Sequence, residues 1–394
     1  MYTLLTTCPP YGSRNVGDEL IAERTRALIE HERGETDFLT IFREEPLDDR
    51  LDEINATRAV LMPAFPIRDT PMHPVTYQLV EDLSRIRVPL IPIGANWNVY
   101  PGDSISRRTI QYSQPTVDFL RHIAGQVDFI SCREYHVGPI LARHGIDNTR
   151  MTGDPAWFLP SAFGRPMHRP DRIRRLVFSP PLSPFYADQA CRVVALLARR
   201  FPDAERICAF HLLDAASTKN QTPDNTVKSE RSAALSADVT AKNQRIREAA
   251  TEHGYDIRQM AGNLANLDFY ETCDFHVGYE CHAHLNFFSR RRPSYLIAED
   301  ARGIGFNDTL GVGGFTGFVR AQTESDTTRK TITSGYATCL HELALAPPKC
   351  DIVGEIEEAL DRDLDGSFRS FIGLPNFLDD VYNRVMRPFI QSLP

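Results

Sequence analysis

Short apolar runs alternate with amphipathic segments through the first part of the chain. The runs are rich in β-branched and aromatic residues, which is typical of strands. The predicted strands are YTLLTT (2–7), DFLTIF (37–42), ATRAVLMPAF (56–65), VPLIPIG (88–94), DFISCR (128–133) and TRMTGDP (149–155). Between them, DELIAERTRALIEHE and PTVDFLRHIAGQ carry apolar residues at three- and four-residue spacing, which predicts helices. Regular alternation of this kind predicts βαβ units and a mostly parallel sheet covered on both faces.

The alternation stops at the Pro- and Arg-rich stretch GRPMHRPDRI (164–173), which is typical of a linker, and then restarts. The second set of predicted strands is RLVFSP (175–180), RICAFHLL (206–213), DFHVGY (274–279) and PSYLIA (293–298). The predicted helices among them are ADQACRVVALLARRF (187–201), ADVTAKNQRIREAATEHG (237–254) and HAHLNFF (282–288). Residues 214–238 are polar and poor in large apolar groups, which predicts a long mobile loop that closes over a ligand.

This pattern divides the chain into two α/β domains and a helical tail. The predicted fold class is α/β, with two Rossmann-like domains facing each other across a cleft. We place the first domain at residues 1–165, the second at 166–345, and the C-terminal helices, predicted to pack back on the first domain, at 346–394. Ligands of open α/β sheets bind at the carboxyl ends of the strands, so the cleft is the expected site.

Composition narrows the class of function. A net charge of −8 over 394 residues argues against a nucleic-acid binder. The sequence lacks a signal peptide pattern and a stretch of about 20 apolar residues, so we expect a cytoplasmic protein. Its eight cysteines show no paired spacing, which favours reduced thiols over disulfides.

The first candidate site is PYGSRNVGDELI (10–21), between the first strand and the first helix. Gly12 and Gly17 allow close backbone approach, and the free N–H groups at the helix start favour an anionic or polyhydroxylated ligand. The motif is neither GxGxxG nor a P-loop. A plain capped turn, with Asp18 and Glu19 favouring the helix dipole, explains it equally well.

The second candidate is the stretch that begins SCREYH (131–136). Arg133 closes a buried strand, so its guanidinium is expected at the sheet edge, where it can bind a carboxylate or phosphate. Asp154 ends the next strand at the same edge and either orients a hydroxyl or caps a turn. The alternative for Arg133 is a structural ion pair with Glu134 or Asp154.

The third candidate is GYECHAHL (278–285), followed by arginines 290–292. His282 and His284 are two residues apart, which suits metal ligation from one helix face poorly, since that needs spacings of three or four. Asp274 and His276 lie nearby, but the sequence assembles no set of three or four ligands. A histidine at a helix start in a cleft is available for proton transfer near neutral pH. The alternative is a hydrogen-bonded structural histidine.

Together these pieces resemble the polysaccharide pyruvyl transferase family. The N-terminal GxxNxGDE motif is matched by Gly12, Asn15, Gly17, Asp18 and Glu19. The central block is matched by Ser131, Arg133, Glu134, Gly145, Asp154 and Pro155. The C-terminal motifs correspond to Gly278, Glu280, His282 and Ala283, then Pro293, Asp300, Arg302, Gly305 and Phe306. The resemblance runs from about residue 10 to 315.

The resemblance implies a fold like that of GT-B glycosyltransferases and a bacterial enzyme of polysaccharide biosynthesis. It implies phosphoenolpyruvate as donor, a saccharide hydroxyl pair as acceptor, a cyclic pyruvate ketal as product, and neither metal nor separate cofactor. The catalytic candidates are then His282 and Glu280. The donor-binding candidates are Arg133, Arg290, Arg302 and Cys281, and the acceptor-binding candidates are Asn15, Asp18, Asp154 and His211. Peripheral contact with a lipid-linked acceptor and the oligomeric state are left open.

This chain departs from the family pattern at Glu280, where the family has an arginine. A carboxylate there is expected to repel an anionic donor. Arg302 replaces the family lysine, which keeps the charge and changes the geometry. Three hypotheses follow: pyruvyl transfer from phosphoenolpyruvate, a divergent glycosyltransferase with a nucleotide-linked sugar donor, and a non-catalytic member of the family. Under the second, Glu280 serves as base or ribose anchor and His282 as acid.

Overall fold

The computed structural model describes residues 1–7, 15–68, 71–212, 230–320 and 346–394, without the side chains of 230–236. Gly12 and most of the predicted mobile loop lie outside these residues. The last part of that predicted loop, from residue 230 onward, is helical, so the loop prediction is wrong there. The described residues build a four-stranded and a six-stranded parallel sheet and two further pairs of short strands. No described helix is long and apolar enough to cross a membrane.

The first sheet has four parallel strands in the order β2-β1-β3-β5. The strands of the N-terminal part are β1 Tyr2–Thr6, β2 Phe38–Phe42, β3 Val60–Pro63, β4 Pro66–Ile67, β5 Leu90–Ile93, β6 Asn96–Trp97, β7 Ile130–Cys132 and β8 Thr149–Met151. The helices are α1 Val16–Arg33, α2 Leu51–Asn55, α3 Ser104–Thr109, α4 Gln114–Ala124 and α5 Val137–Ala142. β4 pairs with β6, and β7 pairs with β8. The predicted strands of this half are confirmed, with ends that differ by a few residues.

Both faces of the first sheet are buried, as a parallel sheet requires. Leu4 and Leu61 point into one core, which also contains Leu20 and Leu28 of α1. Their sequence neighbours Leu5 and Val60 point into a second core, which α4 completes. The period of two along each strand therefore assigns alternate residues to the two helical layers.

The second sheet has six parallel strands in the order β11-β10-β9-β12-β13-β14. These strands are β9 Arg175–Ser179, β10 Glu205–Phe210, β11 Tyr255–Gln259, β12 Phe275–Gly278, β13 Ser294–Ala298 and β14 Gly314–Thr316. The helices of this half are α6 Ala187–Arg200, α7 Glu230–Glu252, α8 Cys281–Ser289 and α9 Ala301–Leu310. The sequence pattern missed β11, β14 and α9, the last because ARGIGFNDTL contains two glycines and has no polar face.

The C-terminal helices divide between the two halves. α10 Ile352–Asp365 packs on α6 and β14, and its Asp363 accepts a hydrogen bond from Tyr295 at 2.6 Å. α11 Leu374–Val381 leads through a single wide turn at 382–386 into α12 Arg387–Gln391. α12 packs on α1, where Arg33 donates to the carbonyl of Gln391 at 2.9 Å. Packing against the first half is therefore confirmed for α12, whereas α10 lies against the second.

Helix α9 brings the two halves into contact. Its first residue, Ala301, belongs to the second core of the N-terminal half, and its backbone N–H donates to the carbonyl of Val99 at 3.2 Å. A Cβ added to Gly102 would lie 2.1 Å from the Cα of Ala301, so only glycine permits this approach. Further along α9, the hydroxyl of Thr309 accepts from the backbone N–H of Tyr135 at 3.2 Å. Because α9 begins directly after the carboxyl end of β13, these contacts hold that edge of the second sheet against the N-terminal half.

Candidate active site

A narrow crevice lies between the two halves, at the carboxyl ends of β9, β12 and β13. Its empty volume is about 340 Å³ with the open mouth included, and the centre of a water molecule can reach only about 20 Å³ of it. Its lining consists of Arg133, Leu182, Tyr279, Glu280, Cys281, His282, Glu299, Asp300, Arg302 and Gly303. The position is the one expected for a ligand in an open α/β sheet. Arg133 comes from the N-terminal half and the other residues come from the C-terminal half.

His282 stands in the first turn of α8 and lies against Gly17 of α1. A Cβ at position 17 would lie 2.0 Å from Nδ1 of His282, so the glycine of the N-terminal motif makes room for this ring. The side chain is buried, and within the described part of the chain neither ring nitrogen has a hydrogen-bond partner. The structural alternative, a histidine held by hydrogen bonds, therefore finds no support in the described residues.

The imidazole of His282 is neutral at neutral pH. Burial lowers its pKa to about 4, and the positive charges of Arg133 and Arg302 act in the same direction, while Asp18 opposes them. A neutral imidazole whose nitrogens have no hydrogen-bond partner in the described part of the chain can accept a proton. The geometry thus provides a base at the crevice.

Glu280 is the N-cap residue of α8, and its side chain is also buried. Asn15, the N-cap of α1, donates from Nδ2 to Oε1 of Glu280 at 3.3 Å. Burial raises the pKa of the Glu280 carboxyl to about 8, although Arg302 and Lys242 act against the shift. At neutral pH this side chain is a protonated acid, so the repulsion expected for a carboxylate at this position is relieved.

The raised pKa of Glu280 predicts how the stability of a Glu280→Gln variant depends on pH. The folded protein keeps a proton up to about pH 8 that an unfolded chain releases from its ordinary value of 4.5. Folded wild-type protein therefore loses stability as the pH rises through this window, and glutamine removes the loss because it does not titrate. We expect the melting temperature of the variant, relative to wild type, to rise by roughly 2–4 °C between pH 5 and 8.

The control for that measurement is Glu358→Gln, on the exposed face of α10. Its melting curve should follow that of wild type throughout the same pH range. A Glu280→Gln curve that also stays parallel to wild type at every pH would show that the Glu280 carboxyl is already ionised at neutral pH.

Arg133 follows β7 and reaches the crevice from the opposite side. Its Nη1 lies 3.5 Å from Oδ2 of Asp154, and the guanidinium stacks 4.5 Å above the ring of Phe306. Both Arg133 and Asp154 are buried. Nε and Nη2 of Arg133 have no hydrogen-bond partner among the described residues. Two buried donors without acceptors are costly for a folded protein unless a ligand uses them.

The remaining donor-binding candidates occupy different positions. Arg302 lines the crevice and is held by Asp300, the N-cap of α9, with Nη2 to Oδ2 at 2.6 Å. Cys281 also lines the crevice, and burial raises the pKa of its thiol to about 12. Arg290 stands at the far end of α8, where it donates to Oδ1 of Asn286 at 2.7 Å. The structure therefore does not bring Arg290 to the crevice.

The acceptor-binding candidates also divide. Asn15 and Asp18 lie at the start of α1, close enough to affect Glu280 and His282 directly. Asp154 is buried, pairs with Arg133, and accepts from the backbone N–H of Ala156 at 2.9 Å, so it caps a turn. His211 is buried and bonded through Nε2 to the hydroxyl of Tyr270 at 2.6 Å. Neither Asp154 nor His211 lines the crevice.

Glu299 lines the crevice at the end of β13 and was not among the candidates from the sequence. Its carboxylate oxygens accept from the backbone N–H groups of Leu182 and Ser183 at 3.0 and 2.9 Å. Burial, with the nearby charge of Asp300, raises its pKa to about 7. In the sequence, Glu299 and Asp300 directly follow the apolar run SYLIA. A charged residue at the end of a predicted strand is also what identified Arg133.

His282 and His284 point to different surroundings, as their spacing predicts. His284 bonds through Nδ1 to the hydroxyl of Ser294 at 2.8 Å, inside the protein and away from the crevice. Among the described residues, no group of three or more histidine, cysteine or acidic side chains is arranged to hold a metal ion.

Comparison with known proteins places this geometry in a family. The polysaccharide pyruvyl transferase family matches residues 15–282, which is more than half of the chain. No curated protein matches the sequence.

Solved structures with the same architecture share little sequence with this chain. A UDP-GlcNAc 2-epimerase from Neisseria meningitidis bound to UDP-GlcNAc has a TM-score of 0.50 at 8% identity, with full coverage of both chains. A protein from Anabaena, HepE, in complex with UDP and glucose has a TM-score of 0.45 at 12% identity and covers 99% of this chain and 97% of its own. At 8% identity, the likeness to the epimerase shows the fold alone, which is the GT-B arrangement of two Rossmann-like units. On the family match and this fold, the chain belongs to the polysaccharide pyruvyl transferase family and is a transferase.

Proposed function

We propose that the protein transfers the pyruvyl group of phosphoenolpyruvate to two hydroxyls of a saccharide and forms a cyclic ketal. The observation that carries the proposal is that one crevice contains Arg133 and His282, each with two buried nitrogens that have no hydrogen-bond partner among the described residues. The first is suited to an anionic donor and the second to proton transfer. The family match supports the same chemistry.

The reaction needs one proton delivered to carbon and two removed from oxygen. The methylene carbon of phosphoenolpyruvate takes a proton and becomes a methyl group, while a sugar hydroxyl attacks the central carbon and gives up its proton. The bond between that carbon and the phosphate oxygen then breaks, and phosphate leaves with the electron pair. A second hydroxyl closes the ring, and its proton passes to phosphate or water, which balances the equation as donor plus diol giving ketal plus phosphate.

The residues of the crevice divide this chemistry between them. Glu280, protonated at neutral pH, supplies the proton to the methylene carbon, and neutral His282 accepts the proton of the attacking hydroxyl. Arg133 holds the carboxylate or phosphate through Nε and Nη2. Phosphate also benefits from the N-termini of α8 and α9, which both begin at the crevice.

A protonated Glu280 gives the departure from the family pattern a chemical role. A neutral carboxyl group does not repel the donor, and a buried carboxylic acid can donate a proton that arginine cannot. Asn15 and Asp18, at the start of α1 beside these two residues, are the candidates for contact with the saccharide. Both are polar groups of the kind that bind hydroxyls.

The test is release of phosphate from phosphoenolpyruvate. With saccharides that offer two neighbouring hydroxyls, we expect phosphate release that depends on both substrates and a product heavier than the acceptor by one pyruvate ketal. Heat stabilisation by phosphoenolpyruvate should accompany it. Stabilisation by nucleotide sugars, with no effect of phosphoenolpyruvate, would instead support the glycosyltransferase hypothesis, and inertness toward both would support a non-catalytic protein.

A further inference from the structure

Behind the crevice, four buried side chains form a continuous line of hydrogen bonds. The hydroxyl of Ser179, at the end of β9, lies 2.8 Å from Nε2 of His276 in β12. Nδ1 of His276 lies 2.7 Å from the hydroxyl of Ser294 in β13. The same hydroxyl lies 2.8 Å from Nδ1 of His284 in α8. We call these four residues the Ser-His chain.

The Ser-His chain ends at Glu280. The backbone N–H of Glu280 donates to Oγ of Ser179 at 3.1 Å. The glycine at position 278 lets Ser179 approach the backbone there, since a Cβ on Gly278 would lie 2.3 Å from Oγ of Ser179. All four members are buried completely, so water does not compete for these bonds.

One direction of the bonds gives both serine hydroxyl protons of the chain an acceptor. A backbone N–H can only donate, so Oγ of Ser179 accepts from Glu280, and the acceptor that the described residues offer its own proton is Nε2 of His276. His276 then carries its proton on Nδ1 and donates it to Ser294. Ser294 in turn donates to Nδ1 of His284, which leaves the proton of His284 on Nε2. In this arrangement both histidines are neutral, with His276 protonated on Nδ1 and His284 on Nε2, which has no hydrogen-bond partner among the described residues.

The bond to Ser179 matters because Glu280 begins helix α8. Its carbonyl accepts from the N–H of His284 at 3.1 Å, so the backbone of Glu280 is tied on both sides. His282 follows two residues later, with its ring against Gly17. The bond to Ser179 is therefore a backbone contact directly before the helix turn that carries His282.

We infer that the Ser-His chain positions Glu280 and His282 through the hydrogen bond between Ser179 and the backbone of Glu280. Ser179, His276, Ser294 and His284 are positioning residues, since none of them lines the crevice. The catalytic part of this inference rests on the proposed function, whereas the direction of the chain and the tie to Glu280 do not.

Two measurements without substrate test the chain itself. Nitrogen-15 NMR of the histidine rings, assigned with His276→Asn and His284→Asn, should show His276 protonated on Nδ1 and His284 on Nε2 at pH 7. Hydrogen exchange at the amide of Glu280 should accelerate at least tenfold in Ser179→Ala. A cationic or Nε2-protonated His276 would overturn the direction, and an unchanged exchange rate would overturn the tie to Glu280.

Kinetics then test the positioning. Ser179→Ala is expected to lower kcat by roughly tenfold to a hundredfold, with little change in KM for phosphoenolpyruvate, since misplacement by about 1 Å has effects of this size. Ser289→Ala is the matched control, because its buried hydroxyl donates within α8, to the carbonyl of Asn286 at 2.9 Å, and has no other partner among the residues described. Equal kcat in the two variants would overturn the positioning role. Absence of any turnover in wild type would count against the proposed function and leave the NMR and exchange results to decide the chain.

Discussion

Replacing His282 with alanine is expected to reduce turnover by a factor of roughly 10² to 10⁴, the usual contribution of a positioned acid or base. The fold should persist, because neither ring nitrogen has a hydrogen-bond partner among the described residues and none would be lost. The measurement is phosphate release from phosphoenolpyruvate with a saccharide acceptor, alongside a thermal unfolding curve. Retained turnover in a folded His282→Ala protein would remove His282 from the mechanism.

A second variant reaches the same histidine without removing it. Gly17→Ala should displace the ring, since the new Cβ would lie 2.0 Å from Nδ1 of His282, and should lower kcat. Gly373→Ala is its control, because position 373 has no heavy atom within 4 Å of an added Cβ and lies far along the chain. His168→Ala, at an exposed position of the 164–173 stretch, is the control for His282→Ala.

Arg133→Ala is expected to raise KM for phosphoenolpyruvate about a hundredfold or more. Nε and Nη2 of Arg133 supply two charge-assisted hydrogen bonds to the donor in the proposed complex, each worth about 1.5–3 kcal/mol. Arg133→Lys should recover only part of the loss, because lysine keeps the charge and lacks the planar fork. Calorimetric titration with phosphoenolpyruvate should rank wild type, Arg133→Lys and Arg133→Ala in the same order by binding affinity.

Stability has to be separated from binding here, because Arg133→Ala leaves Asp154 buried without its ion pair. Arg291→Ala is the matched control for the effect of Arg133→Ala on stability. It breaks the contact between Arg291, which is 2% exposed, and Asp379, away from the crevice. We expect both alanine variants to lose stability and only Arg133→Ala to lose affinity for the donor. A parallel loss of affinity in both would assign the effect to folding.

Much of the architecture could be predicted from periodicity. The apolar runs at 2–7 and 175–180 became strands β1 and β9 nearly residue for residue, because a strand buried on both faces needs continuous apolar sequence. α9 escaped prediction for the opposite reason. Its residues Ala301 and Phe306 enter two different cores, so its sequence shows no single polar face.

The candidate site was only partly predictable. Arg133 was identified because it closes a predicted strand, and the ends of parallel strands share one edge of a sheet. His282 was identified because it lies at the start of a predicted helix and matches a family motif. Arg290 was a candidate as part of the arginine cluster 290–292, for which a solvated helix end was an equally good explanation. In the structure Arg290 lies at the far end of helix α8 from His282, where it donates a hydrogen bond to Asn286.

By itself, the sequence determined the two-part α/β architecture, the edge at which chemistry is expected, and the family motifs. Those depend on local periodicity and on residue type. The tertiary structure alone decided the ionisation of the groups that meet there. It buried Glu280 so that its pKa rose to about 8, and it placed His282 against Gly17 with its pKa at about 4. Desolvation depends on what distant segments place around a side chain, and no spacing along one chain records it.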